Sequence, residues 1–217
     1  SNTSLAGGIC GYAYRSTIIN CANTCDVSSQ SKYKSSDDVR EVDCAGGICG
    51  LAKESTINFC YNTGDIAAYN FTSNSDYSNI TPIAGGVCGN MTATTVSFSY
   101  NTGRVTAQST YYNEGSSAGG ICGYSHGKIV KSSLVYSRIN YCYNTGSIIS
   151  ELSSGLSYSK PFFAGGICGW SMVTTIITGC FAANASISGK EDEENGGFIG
   201  RIYGQGDFSS CTVDMCY

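Results

Sequence analysis

Short apolar runs, rich in Ile, Val, Tyr, Thr and Phe, alternate along the chain with turns that contain Gly and Asn. β-branched and aromatic residues favour strands, and Gly and Asn favour the turns between them. No window shows the apolar period of about 3.6 residues, with caps at its ends, that an amphipathic helix requires. The pattern therefore predicts an all-β protein made of short strands.

The apolar runs belong to a repeat that occurs six times. Its first block, AGGICG or a close variant, starts at Ala6, Ala45, Ala84, Ala118, Ala164 and Asn195. Its second block reads CANTC at Cys21, CYNTG at Cys60, SYNTG at Ser99, CYNTG at Cys142, CFAAN at Cys180 and CTVDM at Cys211. The fourth repeat carries an insertion around SHGKIVKSS. We treat residues 1–217 as one repeat domain and expect it to be a piece of a longer protein.

One repeat is too small to bury its own apolar face, so successive copies must stack on each other. Stacked strands in neighbouring copies would be parallel, with equivalent residues at about the 4.8 Å strand spacing. The predicted fold is a parallel β-solenoid, a right-handed β-helix of about six coils with long lateral loops; the handedness is the usual one for parallel crossovers.

Stacking predicts columns of equivalent residues. Asn23, Asn62, Asn101 and Asn144 form one column, in which carboxamides can hydrogen-bond from coil to coil. A core column contains Ile18, Ile57, Val96, Ile139, Ile177 and Phe208.

Two sets of repeated glycines are predicted to have different structural roles. Gly64, Gly103 and Gly146 share a column with Asn184, and Gly exchanged for Asn is typical of a left-handed turn residue. The glycines of the first block, such as Gly46, Gly47 and Gly50, occur in every repeat, and we expect them where a Cβ would collide with backbone.

The recurring GICG, GVCG or GFIG core, followed by an Ile-x-x-(Cys/Ser)-Tyr-Asn-Thr-Gly block, resembles the GLUG motif. The resemblance covers essentially the whole chain in six copies. Proteins with this motif are large secreted or wall-anchored bacterial polypeptides, including adhesins and non-catalytic regions of IgA-cleaving metallopeptidases. The resemblance implies a β-solenoid at the bacterial cell surface, without catalytic residues in the repeats. The high cysteine content and the long segments between repeats depart from the usual pattern.

The 13 cysteines fall largely into two columns. Buried free thiols are the favoured interpretation, and bridging within a coil and metal binding are the alternatives. Cys25 and Cys44 occur in no other repeat and flank the charged segment 26–43, so we predict a disulfide between them, in keeping with an extracellular location. Cys216 has no evident partner except Cys211.

Charge and motifs argue against several function classes. The net charge is −4 and only 13% of residues are charged, so no basic surface for nucleic acid is expected. No apolar run is long enough to predict membrane insertion. His126 is the sole histidine, predicted to be an exposed loop residue, and no zinc or phosphate motif occurs. Residues 191–194 are acidic but consecutive, which favours a solvated turn over a Ca²⁺ site. We expect no enzyme activity, no cofactor and no metal.

Binding is the favoured function, through aromatic residues placed among Ser and Asn in the connecting segments. The candidate ligand-binding residues are Tyr69, Tyr77, Tyr111, Tyr112, Tyr158, Phe162 and Phe163. We expect a secreted or cell-surface bacterial adhesin-type region that binds host or microbial glycans or proteins. A passive spacer or accessory region of an extracellular peptidase is the alternative, and a carbohydrate-active β-helix enzyme is the third. The same aromatic rings could instead fold down over the flank of the solenoid.

Overall fold

Short strands joined by tight turns make up the chain in a computed structural model. The structure describes residues 4–31, 42–70, 81–110, 115–152, 162–172, 174–189, 195–196, 199–203 and 211–216. Within these ranges there is no helix.

The first three coils have five strands each. Coil 1 contains β1 (Leu5–Gly7), β2 (Cys10–Tyr14), β3 (Thr17–Ile19), β4 (Ala22–Asn23) and β5 (Val27–Ser31). Coil 2 contains β6 (Val42–Gly46), β7 (Cys49–Lys53), β8 (Thr56–Asn58), β9 (Tyr61–Asn62) and β10 (Ile66–Asn70). Coil 3 contains β11 (Thr81–Gly85), β12 (Cys88–Thr92), β13 (Thr95–Ser97), β14 (Tyr100–Asn101) and β15 (Val105–Ser109).

The later coils follow the same plan with one addition. Coil 4 contains β16 (Ser116–Gly119), β17 (Cys122–His126), the extra strands β18 (Lys128–Val130) and β19 (Ser133–Val135), then β20 (Ser137–Asn140), β21 (Tyr143–Asn144) and β22 (Ile148–Leu152). Coil 5 contains β23 (Phe162–Gly165), β24 (Cys168–Met172), β25 (Thr175–Thr178), β26 (Phe181–Ala182) and β27 (Ile187–Gly189). Coil 6 contains β28 (Asn195–Gly196), β29 (Ile199–Tyr203) and β30 (Cys211–Asp214).

Equivalent strands of successive coils pair in parallel and build five sheets. In the order in which the chain visits them, the first, second and third sheets have six strands each, beginning with β1, β2 and β3. The fourth and fifth sheets, which begin with β4 and β5, have five strands each. The predicted parallel β-solenoid is confirmed, with a coil count slightly different from six because the last coil has only three described strands. The right-handed crossover stays a prediction.

The pairing is in register through the first five repeats. Asn101 pairs with Asn62 on one side and with Asn144 on the other, and Cys88 pairs with Cys49 and Cys122. In the sixth repeat the first block keeps the predicted register, with Asn195 paired to Ala164, but the second block differs from the sequence alignment. Val213, and not Phe208, pairs with Ile177, while Phe208 lies outside the described residues. This five-residue offset brings Cys216, and not Cys211, next to Cys180 in the second cysteine column.

Two apolar cores run the length of the stack. The larger core is enclosed by the second, third and fourth sheets and contains the Ile57 column together with both cysteine columns. The smaller core lies between the first and fifth sheets, where the alanines at positions 45, 84, 118 and 164 face Ile66, Val105 and Ile148. Each apolar side chain is covered by its own counterparts above and below, which is why a coil cannot fold by itself.

The glycines of the first block stand where the chain has no room for a side chain, as predicted. A Cβ on Gly46 would lie 2.0 Å from the carbonyl oxygen of Cys49, and one on Gly47 would lie 2.2 Å from that of Gly86. A Cβ on Gly50 would approach the carbonyl oxygen of Ala6 to 2.7 Å. These glycines let the first and second sheets approach each other closely across the turn that joins them.

The predicted asparagine ladder is present and buried. Asn23 Nδ2 donates to Asn62 Oδ1 at 2.7 Å, Asn62 Nδ2 to Asn101 Oδ1 at 2.7 Å, and Asn101 Nδ2 to Asn144 Oδ1 at 2.8 Å. Each Nδ2 also donates to a carbonyl oxygen two residues along its own chain; for Asn62 this is the carbonyl of Gly64, at 2.7 Å. The ladder thus ties the coils together and fixes the turn that follows each asparagine.

The left-handed conformation predicted for Gly64, Gly103 and Gly146 is wrong, because none of them has a positive φ. These glycines are instead required by close contact. A Cβ on Gly64 would lie 2.1 Å from the carbonyl oxygen of Cys25, and one on Gly103 would lie 2.0 Å from that of Gly64. Positive φ angles occur in two other columns, one of which includes Arg15, Glu54 and Ala93, at the turn between the second and third sheets.

The insertion in the fourth repeat forms an antiparallel hairpin from β18 and β19. Its turn residues Lys131 and Ser132 both have positive φ. Lys128 Nζ donates to Glu54 Oε1, and Arg15 Nε donates to Glu54 Oε2 at 2.9 Å. The Lys128–Glu54 pair places the hairpin beside the turn of coil 2, and the Arg15–Glu54 pair joins that turn to the equivalent turn of coil 1.

Candidate binding surface

The structure does not gather the predicted ligand-binding residues into one site. Tyr77, Tyr111, Tyr112 and Tyr158 lie outside the described residues. Tyr69 is half-buried in β10, where it pairs with Gln30 and Gln108.

Phe162 and Phe163 are strand residues of β23, and 4% and 3% of their surfaces are exposed. Phe163 packs against Trp170 with ring centroids 5.1 Å apart. Their predicted placement in a connecting loop is therefore wrong, because pairing of β23 with β16 draws them into the wall of the solenoid.

The predicted disulfide between Cys25 and Cys44 is not formed in the structure, where both are free thiols. Cys25 is exposed at the turn before the fifth sheet, whereas Cys44 is fully buried in β6 between β1 and β11. Burial raises the pKa of the Cys44 thiol, and the neighbouring Asp43 raises it further. The two cysteines flank one segment of sequence but occupy different environments.

Most of the other described cysteines agree with the favoured interpretation, buried free thiols, whereas Cys10, Cys21 and Cys216 are free thiols that are half-buried. Cys10 Sγ lies 3.5 Å from Cys49 Sγ in the next coil, so thiols contact each other along the column. Burial raises the pKa of Cys10 to about 12 and that of Cys122 well above its usual range. Because the thiolate is the reactive form, burial with a raised pKa makes Cys10 and Cys122 poor nucleophiles, which fits a packing role.

His126 is not the exposed loop residue that the sequence suggested. It ends β17 and is half-buried. Its Nδ1 donates to the carbonyl oxygen of Gly127 at 2.9 Å, so in the neutral ring Nε2 accepts from the Thr92 hydroxyl at 2.9 Å. Burial lowers the pKa of His126. Both ring nitrogens are therefore engaged in holding the wall.

The most distinctive exposed feature is a pair of aromatic columns, which sequence reasoning read only as part of the repeat. The first column, at the turn between the third and fourth sheets, stacks Phe59 on Phe98 and Phe98 on Tyr141, with ring centroids 5.2 and 5.1 Å apart and planes within 13°. These three side chains are 53%, 49% and 53% exposed.

The second column lies two residues further along, on the outer face of the fourth sheet. Tyr61 stacks on Tyr100 and Tyr100 on Tyr143, with centroids 5.0 and 4.7 Å apart and planes within 6°. Phe181 pairs with Tyr143 in coil 5 and is exposed. Burial raises the pKa of Tyr143, with a further contribution from Tyr100, so this phenol stays protonated. We call the two columns together the aromatic double ladder.

The first column of the double ladder is held in an unfavourable backbone conformation. Phe59, Phe98 and Tyr141 have φ of 53°, 48° and 53°. A bulky residue in the left-handed region costs roughly 1–2 kcal/mol, and Asn or Gly adopts it more easily. The same column contains Asn20 and Gly179 with φ of 56° and 62°, so the fold accepts either residue there. Retaining rings at strained, exposed positions is a pattern typical of functional sites.

The double ladder and the positions directly beside it are uncharged. Thr63, Thr102 and Thr145 form an exposed column two residues after the tyrosines. Segments 58–63, 97–102, 140–145 and 178–183 contain no Asp, Glu, Lys or Arg. The surface therefore offers ring edges, phenols and threonine hydroxyls, a combination that suits an uncharged ligand rich in hydroxyl groups.

Other kinds of site find no support in the described part of the chain. It contains no group of three or more His, Cys, Asp or Glu side chains arranged to hold a metal ion. No helix among the described residues has the length and apolar character that crossing a membrane requires.

Two comparisons with known proteins identify no family and no related sequence for this chain. A scan of protein-family models gives no match to the chain, and a search of curated proteins gives no similar sequence. The resemblance to the GLUG motif stays a prediction that depends on the repeated residues themselves.

Proposed function

We propose that this chain is an adhesin-type repeat region, secreted or exposed at a bacterial cell surface, that binds glycans or proteins. The observation that carries the proposal is the aromatic double ladder, with its first column about half exposed. Large aromatic side chains supply contact area at a low conformational cost, and they are enriched at recognition surfaces.

The position of the double ladder favours recognition over a purely structural role. The asparagine ladder and the two apolar cores already join each coil to the next. Asn20 and Gly179 occupy the strained column without a ring, so the backbone does not need one. The rings at Phe59, Phe98 and Tyr141 thus contribute something beyond the fold.

A cell-surface location is supported by the resemblance of the repeats to the GLUG motif. A rod of stacked coils also suits a surface protein, because it holds a lateral binding face away from its point of attachment. We propose that the chain is not an enzyme, since its single histidine is engaged on both ring nitrogens.

A passive spacer, or an accessory region of an extracellular peptidase, is the second candidate. It is favoured by the uninterrupted stacking of the cores and of the asparagine ladder, which would stiffen a rod that has no ligand.

A combined array of glycans and matrix proteins separates these two candidates. We expect the chain to bind at least one class of ligand, and the Phe98→Asn variant to lose most of that binding. Tyr14→Asn is the matched control, because Tyr14 is 46% exposed but lies in β2, outside the double ladder. An array with no bound ligand would favour the spacer, and loss of binding in both variants equally would argue against the double ladder as the site.

A further inference from the structure

We infer that the ligand of the aromatic double ladder is a neutral, extended β-1,4-linked polysaccharide that lies along the stacking axis, with successive sugars over successive coils. This inference rests on the proposed function and specifies its ligand. It is carried by three properties of the double ladder: its spacing, the order of its chemical groups and its lack of charge.

The spacing of the double ladder is regular in one direction only. Ring centroids follow each other at 5.2 and 5.1 Å in the first column and at 5.0 and 4.7 Å in the second. A ligand makes the same contact with every coil only if its own units repeat at a spacing similar to that of the rings. Each sugar of an extended β-1,4-linked polymer advances by a comparable distance, whereas the side chains on a folded protein surface have no such repeat.

The chemical groups of the surface are arranged in parallel rows. Phe59, Phe98 and Tyr141 form a row of rings in which Tyr141 alone carries a hydroxyl, the phenols of the second column form the next row, and the threonine hydroxyls form the third. Neighbouring rings cover each other's faces, so a ligand meets ring edges and hydroxyl groups. Sugars present apolar C–H patches beside hydroxyls that both donate and accept, and these match such rows.

The absence of charge selects among polysaccharides. Burying a carboxylate or sulfate against this surface would leave the ligand's charge without a partner, and an unpaired charge is costly to desolvate. Among the described residues, charges lie only at the margins of this surface. The half-buried Arg138, three residues before Tyr141, holds its guanidinium over the ring of Tyr136. The exposed column of Asp26, Asp65 and Arg104 begins two residues beyond the threonines. A neutral polymer avoids this cost.

The length of the double ladder limits how many sugars contribute. Each column stacks three rings in coils 2 to 4, and Phe181 extends the second column into coil 5. In coil 1 the equivalent positions are Asn20 and Ala22. About four sugars can therefore contact the rings, and further sugars extend beyond them.

Isothermal titration calorimetry with neutral β-1,4-linked oligosaccharides of glucose, mannose and N-acetylglucosamine tests the inference. For at least one of the three series, we expect affinity to rise about tenfold or more from dimer to tetramer and to change little from tetramer to hexamer. Phe98→Asn should weaken binding of the tetramer about tenfold, and Tyr14→Asn should leave it unchanged. Urea unfolding of each variant verifies that it is folded.

A second variant shows whether a loss of affinity could be due to misfolding. Tyr100→Phe keeps the stacked ring and removes only the hydroxyl, so we expect an intact fold and a weaker affinity for the tetramer. Equal affinity for dimer and hexamer, or equally tight binding of acidic oligogalacturonate, would overturn the inference.

The outcomes for the inference and for the proposed function are distinct. If no neutral oligosaccharide binds but a protein binds in a manner that depends on Phe98, the inference fails and the recognition function stands. If neither glycans nor proteins bind, both fail.

Discussion

Individual residues in this protein contribute mainly through their copies in neighbouring coils. A carboxamide suits a buried column because one side chain donates two hydrogen bonds and accepts one or more. Each asparagine can therefore bond to the asparagine of the coil above, to that of the coil below and to a carbonyl group of its own turn. Asn101, at the centre of the ladder, contacts Asn62, Asn144 and the carbonyl of Gly103.

Replacing Asn101 with Ala should destabilise the protein strongly. The change leaves three buried polar groups without this partner, each costing about 1–3 kcal/mol, so we expect a loss of at least about 3 kcal/mol in the free energy of unfolding. Urea denaturation followed by circular dichroism measures it. The end residue Asn23, which has a carboxamide neighbour on one side, is the control; an equal loss for Asn23→Ala would contradict the ladder as a cooperative element.

His126 should make stability depend on pH. Burial lowers its pKa, so on acidification the unfolded chain takes up a proton before the folded chain does, and stability is lost as the pH falls below about 6.5. We expect the urea midpoint to drop between about pH 7 and about pH 5.5. In His126→Gln the drop should be smaller, and an identical drop in both proteins would argue against this role. Glu54, whose pKa is lowered by Lys128 and Arg15, contributes stability at neutral pH, and this contribution is lost only at more acidic pH, as the carboxylate becomes protonated.

At the scale of strands and turns, glycines serve close contact more than conformational freedom. The sequence allowed this to be predicted for Gly46, Gly47 and Gly50, because they are present in every repeat. For Gly64, Gly103 and Gly146 the sequence led to a wrong prediction. The Asn that replaces Gly in this column suggested a left-handed turn, but these glycines are needed because another backbone segment approaches them closely. The residues that do adopt positive φ include Phe and Tyr, and no residue preference indicates that choice.

A pair of opposite substitutions separates the two reasons for using glycine. Gly47→Ala places a Cβ against the carbonyl of Gly86 and the side chain of Asn62, so we expect destabilisation by about 1–3 kcal/mol or more. Ala93→Gly, at φ 47°, should be neutral or slightly stabilising, since Gly adopts this conformation freely. Thermal unfolding of both variants measures the contrast, and a stabilised Gly47→Ala variant would contradict the predicted collision.

The order of the strands was predictable from the repeats, but the register of the last coil and the location of the exposed aromatic residues were not. Periodicity fixed the register of five coils and of the first block of the sixth repeat, whereas the degenerate second block of that repeat was aligned five residues away from its true position. The sequence prediction placed the ligand-binding residues among the aromatic residues of the connecting segments, because these segments differ from repeat to repeat. The double ladder lies in the regular part of the repeat, where a sequence alone does not distinguish an inward from an outward ring.

Over the whole molecule, the thiols should report how much of the chain is protected from solvent. Cys25 is exposed, whereas most other described cysteines are buried, and burial raises the pKa of several of them, including Cys10 and Cys122. We expect a brief treatment with iodoacetamide to modify Cys25 first, and the fully buried column cysteines, such as Cys49 and Cys122, to react only after unfolding. Peptide mapping by mass spectrometry measures this order.

The Cys25→Ser variant is the control for thiol labelling, and it should lack the earliest modification. Protection of Cys25 until a reductant is added would instead support the disulfide with Cys44 that the sequence suggested.

Equal length among the early repeats has a genetic consequence. The first three copies are offset by 39 residues, the separation seen in the contacts of Asn23 with Asn62 and of Asn62 with Asn101. Unequal recombination between such copies inserts or deletes one whole coil and preserves the phase of every column. Lineages could thereby lengthen or shorten the rod, and the row of rings with it, without evolving a new fold.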